Sequence, residues 1–289
     1  MNNLHLNVKQ ITEIPQKIIR KTVKSALIED LVANDITSNI IINESKSMSA
    51  NIITNETMTL CGKEFFDEVY KQIDHKIQIK WFYKDKDRIS ANTTFAHLYG
   101  SAISILNGER TALNFIQLLS GIATKTALYV DTINDTQVRL LDTRKTLPNL
   151  RLLQKYAVYC GGGINHRINL FDAILIKDNH IVSSEDSIQC IIDKIKNIYP
   201  KKIIELEVRN LKELNMALKT KVDIIMLDNF TIKEIKQAVK LNSNKVKFEV
   251  SGNISLLNIK KIAETGINYI SVGEITKNIT PIDCTMKFI

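Results

Sequence analysis

The sequence predicts an α/β protein: an N-terminal α/β sandwich domain followed by an incomplete, six-stranded parallel β/α barrel. Three observations carry this. Residues 48–96 hold short alternating strands set off by polar turns. Residues 105–131 form a long helical run almost without charge, and from residue 137 onward strands and amphipathic helices alternate. Strands interleaved with helices pair in parallel through right-handed crossovers. Six such strands fall short of the eight that close a TIM barrel.

Residues 13–30 read as a helix, with Ile18, Val23, Ala26, Leu27 and Leu31 near helical spacing. It ends on Glu29 and Asp30, a solvated acidic end, followed by an Asp/Thr turn over 34–38. Residues 48–60 alternate as a strand until Cys61-Gly62 breaks it before a short helix, 63–70. Strands follow at 76–83 and 88–96, separated by Lys84-Asp85-Lys86-Asp87, and Trp81 is assigned to the core. The run 105–131 is apolar enough to be buried against a sheet or at a subunit interface, so its charges, Glu109 and Arg110, stand out. Read alone, Arg110 is a salt-bridge partner for a neighbour. The barrel strands fall at 137–142, 173–177, 203–208, 223–228, 246–251 and 269–273, with helices at 148–159, 184–198, 210–220, 231–241 and 255–265. The tail leaves the barrel and returns to the first domain. The expected division is 1–112 with 275–289 for the sandwich, and 113–274 for the barrel.

Composition narrows the function classes. The 289 residues, 44% hydrophobic and 24% charged, are ordinary for a soluble globular protein with a substantial core. Apolar runs are broken well short of a membrane span, and MNNLHLNVKQ shows no secretory signal pattern. Cys61, Cys160, Cys190 and Cys284 have neither paired nor metal-ligand spacing, as expected of reduced thiols in the cytosol. The net charge of +8 invites an anionic partner, but no basic run is interleaved with aromatics, so small anionic substrates are favoured over nucleic acid.

The stretch 140–181 concentrates the chemistry. A strand delivers Asp142, Thr143, Arg144 and Lys145; Pro148 opens a helix; and three glycines, Gly161 to Gly163, precede Asn165, His166 and Arg167. A second strand then ends on Lys177, Asp178, Asn179 and His180. Ligands of βα proteins bind at the C-terminal ends of strands. Arg144, Lys145, His166, Arg167 and Lys177 therefore make a site for something carrying several negative charges. Later strands end on Glu207, Asp228, Ser251-Gly252-Asn253 and Gly273. Alternation puts Glu205 with Glu207, Met226 with Asp228, and Glu249 with Ser251 on shared faces. His166 alone reads as a hydrogen-bonded structural histidine, and His180 as a support for Lys177 or a helix cap.

DTRKT at 142–146, GGGxNHR at 161–167 and LIKDNH at 175–180, in this order and spacing, resemble the quinolinate phosphoribosyltransferase family, and the likeness runs from Glu29 to the final residues. It implies transfer of phosphoribose from phosphoribosyl pyrophosphate to quinolinate with loss of CO₂, Mg²⁺ as cofactor, and a homodimer whose Arg110 reaches the partner's substrate carboxylate. Arg110, Arg144 and Arg167 would fork onto carboxylates, and His166 would orient substrate. Lys145 and Lys177 would serve either ligand, and Ser251, Gly252, Asn253 and Gly273 the 5′-phosphate. Glu207, with Glu205 as alternative, and Asp228 would bind ribose hydroxyls or Mg²⁺; Lys145, Lys177, Glu207 and Asp228 are the candidates for catalysis. Departures include Val32, Asn34 and Asn149, where the family favours glycine. The rival readings are a sister enzyme acting on nicotinate or another ring acid, and a basic dimeric binding protein for nucleic acid.

Overall fold

The computed structural model describes residues 10–31, 35–243 and 246–289; the departures at Val32 and Asn34 lie outside them. The chain forms two compact units. One comprises Ile11–Ala127, Leu152–Gly162 and Asn278–Ile289, and the other includes Leu128–Arg151 and Gly163–Lys277.

The first unit contains α1 (Gln16–Glu29), α2 (Ile36–Ile41), β1 (Ser47–Thr54), β2 (Met58–Thr59), α3 (Lys63–Ile73), β3 (Gln78–Trp81), β4 (Arg88–Ile89) and β5 (Thr93–Ser101). Helix α4 (Ala102–Thr132) follows. A sheet of order β12-β1-β5-β3 is antiparallel throughout, and β12 (Cys284–Phe288) is the returning tail, paired along β1 from Ala50↔Phe288 to Thr54↔Cys284. The strand expected over 48–60 is two strands, because the chain bends after Thr54 so that β2 can pair with β4. The Asp/Thr turn is in fact helix α2: Asp35 accepts from the backbone N–H groups of Thr37 and Ser38 and so caps it. Phe65, Phe66, Tyr70 and Phe95 are buried. Trp81, assigned to the core, is half-buried: its ring packs edge-on to Phe66 at 5.3 Å while its indole N–H reaches Asp67 at 2.8 Å.

In the second unit six parallel strands, β6 (Arg139–Leu141), β7 (Ile174–Ile176), β8 (Ile204–Val208), β9 (Ile224–Asp228), β10 (Lys247–Ser251) and β11 (Tyr269–Ser271), run in the order β6-β11-β10-β9-β8-β7. The first two strands in sequence stand at the two ends of the sheet, so the barrel is incomplete and open between them. Helices α6 (Asp178–Val182), α7 (Ile188–Ile198), α8 (Leu211–Ala217), α9 (Ile232–Leu241), α10 (Ile259–Ala263) and α11 (Glu274–Lys277) follow the strands. The helix expected over 184–198 begins later, where the Ser187 hydroxyl caps it. Leu141, Ala173, Ile224 and Tyr269 plug one end of the interior, with Ile164 and Ile203 against them. Among the described residues no helix is long and apolar enough to cross a membrane.

Helix α5 (Arg151–Cys160) runs into the three glycines, and Asn149 before it sits at φ +64°, a left-handed conformation that asparagine tolerates where glycine is usual. Gly162 is left-handed at φ +87°, and a Cβ on Gly161 would stand 2.4 Å from the Ala123 carbonyl oxygen and 2.6 Å from Thr126 Cβ. Both are needed for the chain to turn toward the NHR segment. Gly161→Ala is therefore expected to destabilise the protein by ~1–3 kcal/mol through overpacking, read as a lowered midpoint in urea with an unchanged slope.

Candidate active site

The open side of the barrel is filled by the chain after the glycines. Ile164 pairs with Leu141 on the free edge of β6, through Ile164 N–H to Leu140 O at 2.9 Å and Asp142 N–H to Ile164 O at 3.1 Å. Asp142 then holds the next two residues: its fully buried carboxylate accepts from Asn165 Nδ2 and from the His166 backbone N–H, each at 2.8 Å. The Gln10 side chain accepts from the Asn165 N–H at 2.9 Å. Arg151 closes the arrangement, donating to Thr146 Oγ1 and to the Ile168 carbonyl. Two motifs distant in sequence are fixed side by side by backbone and carboxylate bonds.

The strand ends enclose a cavity of about 600 Å³. Arg144, Lys145, His166, Arg167 and Lys177 line it on the cationic side. The Arg144 Nε is buried without a hydrogen-bond partner, a donor held ready for an acceptor the protein does not supply. Arg167 is buried, and burial followed by repulsion from Arg144 pulls its guanidinium below the usual arginine range, with Glu205 opposing. Two guanidinium groups that repel each other in a half-dry pocket favour a bound anion. Gly273 lies behind this wall: a Cβ there would meet Lys145 Cδ at 2.9 Å. Thr276 Oγ1 donates to the Lys145 carbonyl at 2.9 Å.

Lys177 Nζ reaches Glu207 Oε2 at 2.6 Å, from half-exposed to buried. His180 Nδ1 accepts from the Lys177 N–H at 2.9 Å, so His180 supports the lysine through its backbone. Asp178, next in sequence, pairs with Arg209. Opposite the cations, Asp228 ends β9, and the turn after it meets the turn after β10. Asn229 sits at φ +58° and donates its N–H to the Ser251 carbonyl at 2.9 Å. Asn253 Nδ2 donates to Asn229 Oδ1 at 3.0 Å. Gly252, at φ +92°, has no room for a side chain, since a Cβ would lie 2.2 Å from Asn229 Oδ1. Ser251, Gly252 and Asn253 thus form a glycine-dependent cradle of backbone and polar side chains on the same cavity.

Below these groups three ionisable side chains meet in the barrel interior. His166 Nε2 lies 2.9 Å from Glu205 Oε2 and 3.5 Å from Glu249 Oε2, and all three residues are buried. The Arg167 N–H points at His166 Nδ1 at 2.8 Å, which requires a lone pair there, so Nε2 carries the hydrogen given to Glu205. Burial works against a second proton on His166, but Glu249, Glu205 and Asp142 outweigh it and hold the ring above its usual range, at about 9. Accepting that proton would cost the Arg167 contact, so local geometry sets the tautomer and the carboxylates set how readily it titrates. Burial, then the Glu205 charge, pushes Glu249 up to about 8, with His166 and Ser271 opposing. The three groups titrate as one set.

The structure brings together Arg144, Lys145, His166, Arg167, Lys177, Glu207, Asp228, Ser251, Gly252 and Asn253 on one cavity. Gly273 shapes it from behind Lys145. Glu205 faces inward but is engaged by His166, one level beneath Glu207. Arg110 is not part of the cavity: it belongs to the first unit, where it is exposed and lines a separate pocket of about 200 Å³ with Glu29, Asp30 and Asn114. The sequence reading left out Glu249 and Ser271, both on the cavity wall. The shared face of Glu249 and Ser251 was the available signal for the first.

Residues 35–120 match the family model for the quinolinate phosphoribosyl transferase N-terminal domain, and residues 122–287 that for its C-terminal domain. A chloroplastic nicotinate-nucleotide pyrophosphorylase (carboxylating) from Oryza sativa is 34% identical over 295 residues, covering 94% of this chain and 78% of the relative. The solved nicotinate-nucleotide pyrophosphorylase from Francisella tularensis is 48% identical with a TM-score of 0.94, covering 98% of this chain and 100% of that one. Human nicotinic acid phosphoribosyltransferase, at 10% identity and a TM-score of 0.58, shares the fold alone. With both domains matched in order and the motif residues gathered on one cavity, the chain belongs to the quinolinate phosphoribosyltransferase family.

Proposed function

We infer that this protein transfers the phosphoribosyl group of phosphoribosyl pyrophosphate to quinolinate and removes one carboxylate, giving nicotinate mononucleotide, CO₂ and pyrophosphate in NAD biosynthesis. The observation that carries the reading is one cavity with a cationic wall that includes the unpartnered Arg144 Nε on one side, a glycine cradle on the other, and carboxylates between.

Arg144 and Arg167 hold the carboxylates of the ring acid in planar forks, with His166 orienting the ring. Ser251, Gly252, Asn253 and Gly273 receive the 5′-phosphate on backbone N–H and side-chain donors. Lys145 and Lys177 meet pyrophosphate oxygens; Lys177 exchanges Glu207 for phosphate when the substrate arrives. Glu207 and Asp228 bind the ribose hydroxyls. As the bond from sugar C1 to pyrophosphate lengthens, the sugar gains oxocarbenium character, and these acids stabilise the positive charge while the lysines stabilise the leaving group. The pyridine nitrogen already carries its lone pair, so attack needs alignment and no base. The resulting pyridinium draws electrons from C2, which lets the adjacent carboxylate leave as CO₂.

Asp228 and Glu207 on adjacent strands fit Mg²⁺, which takes one or two carboxylates and completes its shell with water and substrate oxygens. Bound there, it would neutralise pyrophosphate charge. A homodimer is the assembly favoured by the exposed aliphatic side chains Ile28, Leu31, Ile36, Ile40 and Ile41 of the first unit. In it Arg110 would complete the partner's carboxylate site. The free thiols of all four cysteines accord with a cytoplasmic protein.

Arg144→Ala is expected to weaken quinolinate binding about 100-fold, the loss of a charge-assisted pair, while phosphoribosyl pyrophosphate binding changes little; calorimetry showing equal losses refutes the assignment. Pyrophosphate release should depend on quinolinate and not on nicotinate, and the reverse preference selects the sister-enzyme reading. Light scattering should give at least twice the 32.8 kDa chain mass; a monomer removes Arg110 from the site.

A further inference from the structure

Glu249 is only loosely held, through a 3.5 Å ion pair from its Oε2 to His166 Nε2. It is fully buried on β10, yet neither of its carboxyl oxygens has a hydrogen-bond partner. Its neighbour Ser271 Oγ on β11 is also buried, outside full hydrogen-bond geometry but near enough to favour the ionised carboxyl, and both residues line the cavity. His166 Nε2, 3.5 Å away, gives its hydrogen to Glu205 instead. Beside Glu249 in the sheet stand Met226 and Tyr269. A buried carboxyl with no hydrogen bond and only a long ion pair to His166 disfavours the folded state, and an apolar residue of similar size would serve packing better.

The reaction supplies a reason, and the argument here rests on the function inferred above. When the carboxylate leaves, the C2–carboxyl bond breaks and its electron pair stays on C2. The product carries hydrogen at that carbon, so a proton must reach it from a group on the cavity wall or from water. We propose that Glu249 is the acid that delivers this proton. Its O–H bond breaks as the C2–H bond forms; the carboxylate left behind regains a proton from solvent through the cavity mouth before the next turnover. Position favours it: Glu249 adjoins His166, next to Arg167 and Arg144, the groups read as holding the ring's carboxylates. Protonation favours it too. Burial and the Glu205 charge raise the carboxyl to about 8, against His166 and Ser271, so it holds its proton at neutral pH. Glu205, His166 and Ser271 face it from β8, the barrel seam and β11, and Tyr269 stands beside it on β11, its hydroxyl accepting from Lys247 Nζ at 3.1 Å.

The test is Glu249→Gln, which keeps shape and removes the acid. General acid catalysis is worth about 10²–10⁴-fold, so kcat should fall at least 100-fold, with KM for both substrates within about threefold of wild type. The variant should melt at or above the wild-type temperature, by a margin that grows with pH. The carboxyl's folded pKa stands above its unfolded value, so its burial cost appears as pH rises through this window toward about 8. A kcat within about threefold of wild type overturns the proposal, as does a loss confined to the KM for quinolinate, which would make Glu249 a binding group. Should the variant not fold, wild-type kcat decides. It must decline as pH rises past about 8, and a profile flat from roughly pH 7 to 10 overturns the assignment. Wild-type enzyme inert toward quinolinate sinks the functional reading and this proposal together, whereas active wild type with equally active Glu249→Gln sinks the proposal alone.

Discussion

The clasp at Asp142 is the contact on which the site depends. A six-stranded barrel left open between its first two strands has a backbone edge to satisfy on β6, and the chain after the three glycines satisfies it with Ile164. One buried carboxylate then takes two hydrogen bonds from Asn165 and His166 and so converts an edge repair into a functional wall. It supplements the Ile164 backbone pairing and the Arg151 bridge in holding the NHR segment against the DTRKT turn, where the guanidinium groups of Arg144 and Arg167 share a pocket. A carboxylate suits this duty better than an amide, since bonds to an ionised acceptor are shorter and stronger.

The wall in turn sets the electrostatics. Cations near the mouth and acids in the interior are each costly to bury alone, and the barrel offsets the cost by placing them within reach of one another. Lys177 answers Glu207 at the rim, and His166 answers Glu205 beneath it. Among the buried polar atoms left without a hydrogen bond are Arg144 Nε and both oxygens of Glu249. A fold under selection for stability alone would quench or replace both. Their place on the wall of one cavity suits a ligand as the second partner, in keeping with the tendency of perturbed ionisable groups to gather at functional sites.

Much of this was legible in the sequence because period and spacing survive folding. Six strands were found within a residue or two, since β/α alternation is strong, and their inward faces followed from side-chain alternation. The N-terminal unit was harder: its strands are short, and breaks such as the one after Thr54 are set by which edge each segment pairs with, a tertiary choice. Helix α2 was missed because six residues give too little period, although Asp35 before Thr37-Ser38 was a capping signal. Arg110 stands out in the sequence as a charge on an apolar helix, but helix pattern alone says nothing of which cavity it lines. Glu249 was placed on the right face and passed over because it has no motif around it; its meaning lies in two missing hydrogen bonds, which no linear pattern records.

The glycines show how the two kinds of information combine. Gly161 is required by a carbonyl 2.4 Å from where its Cβ would lie, Gly162 by a left-handed backbone, and Gly252 by both a left-handed backbone and the Asn229 side chain. A glycine run by itself marks only freedom, and many helix ends have one. What turns freedom into a site is that each of these turns ends against a polar wall already fixed by another strand: Asp142 for the first pair, Asn229 for the second. The positions that give up side chains therefore border the positions that carry charge, which is how an open barrel brings backbone N–H groups and ionised side chains into reach of one anionic ligand.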